Sequence, residues 1–137
     1  MTGLPERIAE ILAIDPAAPA LEFDGRWRTW GELGATVDAV AAHIQPGAAV
    51  GVLLRNRPAS VGVLLGVLRA GACVVTASPD RGTDRVLEDL ESLGVGTIAG
   101  EPDDLERLAP KVRWLASDAL GQVVVTGDAP VSATDAA

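Results

Sequence analysis

Residues 46–79, PGAAVGVLLRNRPASVGVLLGVLRAGACVVTASP, restrict the fold more than any other part of this chain. Two short apolar runs, 50–54 and 73–77, flank a longer one that opens on Pro58. Proline suits a first helical position because its missing N–H would be unpaired there anyway. Gly71 suits the left-handed residue that ends a helix. The pattern predicts strand, turn, helix (to about residue 70), strand. Two apolar strands joined by a helix form a right-handed parallel unit, with helices covering the sheet. Strands 50–54 and 73–77 are expected to be central, parallel and adjacent.

Elements of both kinds alternate through the rest of the chain. Residues 4–13 read as a helix with Leu4, Ile8, Ile11 and Leu12 on one face. Residues 20–30 read as a hairpin. Asp24-Gly25 is its turn, since that dipeptide accepts the left-handed angles of a type I′ turn. Thr29-Trp30-Gly31-Glu32 matches a capping box, in which the threonine hydroxyl and the glutamate each satisfy one N–H at a helix start. Leu33, Val37, Val40, Ala41 and Ile44 follow at helical spacing to about His43. Further on, helices at 84–93 and 102–108 alternate with strands at 95–99 and 112–115, and 122–126 reads as another strand. Gly94 and Pro110 stop the two helices. The expected architecture is a single α/β domain over residues 1–126. It has a mostly parallel sheet flanked by helices and the N-terminal hairpin at an edge. Residues 127–137 are small and polar and are expected to be disordered.

Composition narrows the functions. Hydrophobic residues make up 48% of the chain, enough for a packed core. The net charge of −8 argues against a nucleic-acid partner, which requires a basic surface. The longest apolar run, 59–68, is about half of the ~20 residues a membrane span needs. No charged-then-apolar leader opens the chain, and a single cysteine, Cys73, suits a reducing cytoplasm.

The order of short motifs along residues 20–80 carries a family resemblance. Phe23-Asp24-Gly25, Trp30-Gly31-Glu32-Leu33, Pro46-Gly47, Asn56, Ala70-Gly71-Ala72 and Pro79 together resemble the N-terminal region of adenylate-forming enzymes, most like acyl-CoA synthetases and aryl-acid CoA ligases. Thr76-Ala77-Ser78 departs from the family, which usually shows an apolar residue and Asn before the last proline. The resemblance implies an ATP-dependent parent enzyme using Mg and CoA, in which a carboxylate attacks the α-phosphate and the acyl-adenylate passes to a thiol. The resemblance implies that the phosphate donors come from a Ser/Thr/Gly-rich loop ending in Lys, and from later acidic, arginine and lysine residues. No segment here resembles that loop. Thr126-Gly127 is followed by Asp128, Ala and Pro, and Lys111 is the single lysine. The expectation is therefore the N-terminal, non-catalytic portion of a larger ligase. It is inactive by itself, with no catalytic, cofactor-binding or metal residues of its own. The alternative is a stand-alone α/β interaction module. A lone Rossmann nucleotide domain is disfavoured because G-x-G-x-x-G is absent.

Each candidate position has a bland reading beside the functional one. The stretch from Gly47 to Gly51 precedes a strand, whereas a phosphate loop follows one and opens a helix. Arg55-Asn56-Arg57 lies at a strand's carboxyl end and offers two cations for an anion. As a solvated turn, it would instead use Asn56 to bond local backbone. The turn from Ser78 to Thr83 would line a cleft or simply cap the next helix. His43 reads as a surface or helix-terminal residue, Cys73 as an inert core thiol, and Trp27, Trp30 and Trp114 as packing residues. Asp84, Glu88, Asp89 and Glu91 read as the solvated face of their helix. Helix 59–70 is apolar all round, with Gly62 and Gly66 four apart, so its far side is expected to meet another body. The remainder of the ligase or a second copy of this chain would supply it.

Overall fold

The computed structural model describes residues 3–108, 112–117 and 123–126, the last segment for its backbone path only. The expected disordered tail at 127–137, Pro110 and Lys111 lie outside the described residues. Helices α1 (Leu4–Ala13), α2 (Trp30–Ala41), α3 (Pro58–Arg69), α4 (Thr83–Ser92) and α5 (Pro102–Leu108) alternate with strands β1 (Pro19–Phe23), β2 (Arg26–Thr29), β3 (Ala49–Leu53), β4 (Cys73–Ala77), β5 (Thr97–Gly100), β6 (Arg113–Ser117) and β7 (Val123–Thr126).

The main sheet has the order β4-β3-β5-β6-β7. Its first four strands are parallel, while β7 runs antiparallel to β6. Strands β3 and β4 are adjacent and parallel, as the segment 46–79 predicts. Of these two strands only β3 is internal, however. β4 is an edge strand, because the chain leaves it through α4 and returns on the far side of β3 as β5.

Alternation along β3 builds both cores. Val50 and Val52 face α3, in a cluster with Val40, Val63, Val67, Ala99 and Leu115. Leu53 faces the other way, with Val86 and Leu90 of α4 and Leu105 and Leu108 of α5. Gly51 shares that second face because a Cβ there would come within 3.0 Å of Leu90 Cδ2.

Helix α3 lies against the sheet, as expected for an apolar helix, but its far side is covered by this chain itself. Leu33 and Val37 of α2 and Ile8 and Leu12 of α1 form a third cluster, to which Val61, Leu65 and Leu68 of α3 contribute. Gly62 and Gly66 are the contact points. A Cβ at Gly62 would stand 2.6 Å from Thr36 Cγ2, and one at Gly66 would stand 2.5 Å from Val40 Cβ. The glycines thus admit α2, and α3 does not require an outside body to bury them.

Helix α1 keeps only Ile8 and Leu12 buried, while Leu4 and Ile11 of the same expected face are exposed. The hairpin turn has the expected geometry, with φ of 59° at Asp24 and 74° at Gly25. The hairpin forms its own two-stranded sheet and does not join an edge of the main sheet. The cause is local. β2 runs straight into α2, and Trp30 N–H donates to the Ala18 carbonyl at 3.0 Å while Gly31 N–H donates to that of Pro16 at 2.9 Å. These bonds fasten the hairpin over the helices. Its register pairs Leu21 with Arg28 and Glu22 with Trp27, so Trp27 lies on the face opposite Leu21 and is 57% exposed. It is not the packing residue that its type suggests.

The capping box is complete. Glu32 N–H donates to Thr29 Oγ1 at 3.1 Å, and Thr29 N–H donates to Glu32 Oε1 at 2.9 Å. The bond from the Thr29 backbone holds the Glu32 carboxyl below the usual carboxylate range, against the opposing effect of desolvation. Thr29→Ala is expected to destabilise the chain by about 1 kcal/mol. Thermal melts of the two proteins check this, and an unchanged midpoint would show that the helix start is held by the hairpin bonds alone.

Candidate functional site

The carboxyl ends of parallel strands are where open α/β sheets place their ligands. Here three strand-to-helix turns meet at that end: residues 54–58 after β3, 78–82 after β4, and Glu101 after β5. Their charged side chains are bonded to one another. Asp104, on the first turn of α5, is 4% exposed and receives both arms of Arg55. Arg55 Nε donates to Asp104 Oδ2 at 2.6 Å, and Arg55 Nη2 donates to Oδ1 at 2.7 Å. Arg107 Nη2 donates to the same Oδ1 at 2.6 Å. Arg57 Nη1 donates to Glu101 Oε1 at 2.8 Å, and Asp80 approaches Arg55 Nη2 at 3.5 Å.

A two-pronged arginine–carboxylate pair fixes orientation as well as charge. The Arg55 guanidinium holds the Asp104 carboxyl below its ordinary range despite burial, and Arg107 and Arg57 add to that. In return, Asp104 stabilises the charged guanidinium further. The backbone N–H of Arg55 donates to Ser60 Oγ at 2.9 Å, which closes the β3–α3 turn onto the first turn of α3. Arg55 is therefore held by a buried carboxylate of the next crossover, whereas Asn56 and Arg57 stay exposed and Arg57 reaches Glu101 through Nη1 alone.

The sequence reading placed Arg55 and Arg57 together but missed Glu101 and Asp104. A signal was present. Asp104 stands beside Leu105 and one turn before Leu108, on the buried stripe of a short helix, where a carboxylate calls for a partner. The turn from Ser78 to Thr83 does not supply a side-chain cap, because the N-cap of α4 is Gly82 and makes no such bond. Ser78 Oγ instead accepts from the Asp80 N–H at 3.4 Å. Asp84, Glu88, Asp89 and Glu91 are exposed, as a solvated face requires. The His43 side chain is exposed too, and its carbonyl accepts from Arg113 Nη1 at 2.6 Å. Cys73 is exposed, contrary to the reading as a core thiol, because it opens an edge strand. Trp30 and Trp114 are half-buried.

The cations at the carboxyl end face carboxylates, and both oxygens of Asp104 accept from arginine. Among the described residues no cluster of three or more His, Cys, Asp or Glu side chains stands at metal-binding distances. A groove of about 220 Å³ between the hairpin and the β3–α3 turn, lined by Leu21, Phe23, Arg57, Pro58 and Val61, is smaller than the ~300–1,000 Å³ of small-molecule pockets.

Residues 9–136 match the family model described as AMP-binding enzyme. The chain belongs to the AMP-binding enzyme family. It is 35% identical over 102 residues to pyochelin synthetase PchE of Pseudomonas aeruginosa, which covers 71% of this chain and 7% of that protein. Among solved structures it resembles the nonribosomal peptide synthetase FmoA3 in its α-methyl-L-serine-AMP-bound form. The TM-score is 0.77 at 23% identity, covering 87% of this chain and 14% of that one. It also resembles the o-succinylbenzoate CoA synthetase MenE of Bacillus subtilis, with a TM-score of 0.67 at 21% identity over 89% of this chain and 27% of that one. At those identities the structural likeness establishes the fold: an α/β sheet of the kind found in adenylate-forming domains. Among the described residues of this AMP-binding family chain, no helix is long and apolar enough to cross a membrane.

Proposed function

We propose that this chain is the N-terminal, non-catalytic portion of an ATP-dependent acyl-adenylate-forming domain and does not activate an acid by itself. The observation that carries this reading is the engagement of Arg55, Arg57 and Arg107 by Asp104 and Glu101. The cations best placed for a triphosphate spend their charge on holding three turns of the sheet together. Adenylation depends on donors aimed at the charge that develops on phosphorus, and such electrostatic stabilisation is usually the largest catalytic contribution. ATP, Mg and the acceptor thiol are thus requirements of the whole enzyme, and a cytoplasmic location follows from that ATP requirement.

The parent suggested by the motif pattern is an acid–CoA ligase. A peptide-synthetase adenylation domain is the second reading, favoured by the 35% identity to pyochelin synthetase. The coding sequence after Ala137 separates the two: a carrier-protein domain downstream supports the second. The expected result for the chain alone is no acid-dependent pyrophosphate exchange above background and no micromolar Mg-ATP binding by calorimetry, over a panel of fatty, aromatic and amino acids. Exchange with any of them would show that the chain holds an active site of its own.

A further inference from the structure

We propose that the outer edge of β4 is an interface for a second copy of this chain, pairing antiparallel about a two-fold axis at Val75. Among the described residues no strand pairs with that edge. The edge carries none of the usual blocks. Its register with β3 is continuous, without a bulge, and residues 70–79 contain no charged side chain. Native edge strands normally carry lysine, proline or a bulge to prevent pairing.

The backbone geometry selects the register. In a parallel strand each residue turns its N–H and C=O to the same side, and successive residues alternate. Cys73 N–H donates to the Ala48 carbonyl at 2.8 Å, and the Ala77 carbonyl accepts from Leu54 N–H at 3.1 Å. Cys73, Val75 and Ala77 therefore face β3, while Val74 and Thr76 present both groups outward. Pro79 belongs by parity to the inward set, so its missing N–H does not interrupt the outward row. The Ala72 N–H and the Ser78 carbonyl are occupied within the chain, by Val67 and Arg81 respectively. That leaves the Ala72 carbonyl and the Ser78 N–H available, and these complement each other.

One antiparallel arrangement satisfies all of these groups. Val74 exchanges both bonds with Thr76 of the second copy, Thr76 does the same with Val74, and Ser78 N–H donates to the Ala72 carbonyl across the axis. Val75 faces its own copy as a non-hydrogen-bonded pair. Each patch is then complementary to itself, as a two-fold interface requires. Helix α3 plays no part, since α1 and α2 already cover it.

The test uses the chain itself. Light scattering is expected to give twice the chain mass. Thr76→Pro removes an outward N–H without touching the bonds to β3, and is expected to weaken the dimer roughly tenfold or more. Ala77→Cys places the new thiol opposite Cys73 of the other copy. Non-hydrogen-bonded pairs stand about 4.5 Å apart at Cα, within disulfide reach, while Cys73 and position 77 of one strand are too far apart to join. Oxidised A77C is expected to run as a cross-linked dimer, and the C73S/A77C double variant as a monomer. A strict monomer, or A77C that stays unlinked while its circular dichroism remains native, would overturn the proposal.

Discussion

Asp104→Ala is expected to lower the stability of the chain by about 3 kcal/mol, near the lower end for breaking a buried ion pair. The side chain is 4% exposed and Arg55 is 23% exposed, so the guanidinium left behind is desolvated and loses both of its short bonds. The partial exposure of Arg55 and the 56% exposure of Arg107 keep the loss from being larger. Urea unfolding measures it. Replacing both partners with apolar residues, Arg55→Met with Asp104→Leu, is expected to cost less than the sum of the two single changes. Strict additivity would show that the pair is not the cause.

The same pair sets an acid dependence. The folded-state carboxyl of Asp104 titrates below its unfolded value of about 3.9. Its contribution is fully present above that value and is lost as pH falls through the lower folded value. The wild type is therefore expected to lose stability more steeply than Asp104→Ala below about pH 4. Parallel acid limbs would contradict the assignment.

The second large effect concerns the α2–α3 contact. Gly66→Val is expected to destabilise by about 2–3 kcal/mol through overpacking. A Cβ there would stand 2.5 Å from Val40 Cβ and 3.1 Å from the Val37 carbonyl oxygen, and neither is the far end of a flexible side chain that can swing away. Even Gly66→Ala is expected to lose stability, although alanine favours a helix over glycine by about 1 kcal/mol. Gly34 in α2 supplies the control. The nearest atom to a Cβ there is Leu12 Cβ at 3.8 Å, so Gly34→Ala has room and is expected to gain part of that propensity. Melting temperatures shifting in opposite directions for the two alanine variants would establish the close approach. Shifts of the same sign would refute it.

The edge position of β4 and the cover on α3 bear on the same question of partners. An all-apolar helix suggests a missing body, and the sequence supplies the Gly62/Gly66 signal for one. In the fold that body is α2, which follows the hairpin and packs directly on α3 at Gly62 and Gly66. An edge with no paired strand among the described residues lies instead on β4, which the sequence pattern places at the centre of the sheet. An apolar strand reads alike at either position, because side-chain type reports burial on two faces and not whether a neighbour pairs along the edge.

Sequence alone determined the elements of this protein and their handedness. The Pro58 start and Gly71 end of α3, the Thr29–Glu32 box and the Asp24-Gly25 turn each act between residues a few positions apart. Their physics is complete within a short window. The parallel β3–β4 unit follows from the same window, because a strand–helix–strand crossover has one favoured hand. The tertiary structure alone decided which strand lies at the edge, which way the hairpin turns Trp27, and what meets Gly66. It also decided where Arg55 finds its charge. Asp104 lies 49 residues beyond Arg55, and their contact exists only because β5 inserts beside β3 and carries α5 over the turn. Such pairings depend on chain reversal and on which apolar face is buried against which. Those are properties of the packed whole that no local run of residues encodes.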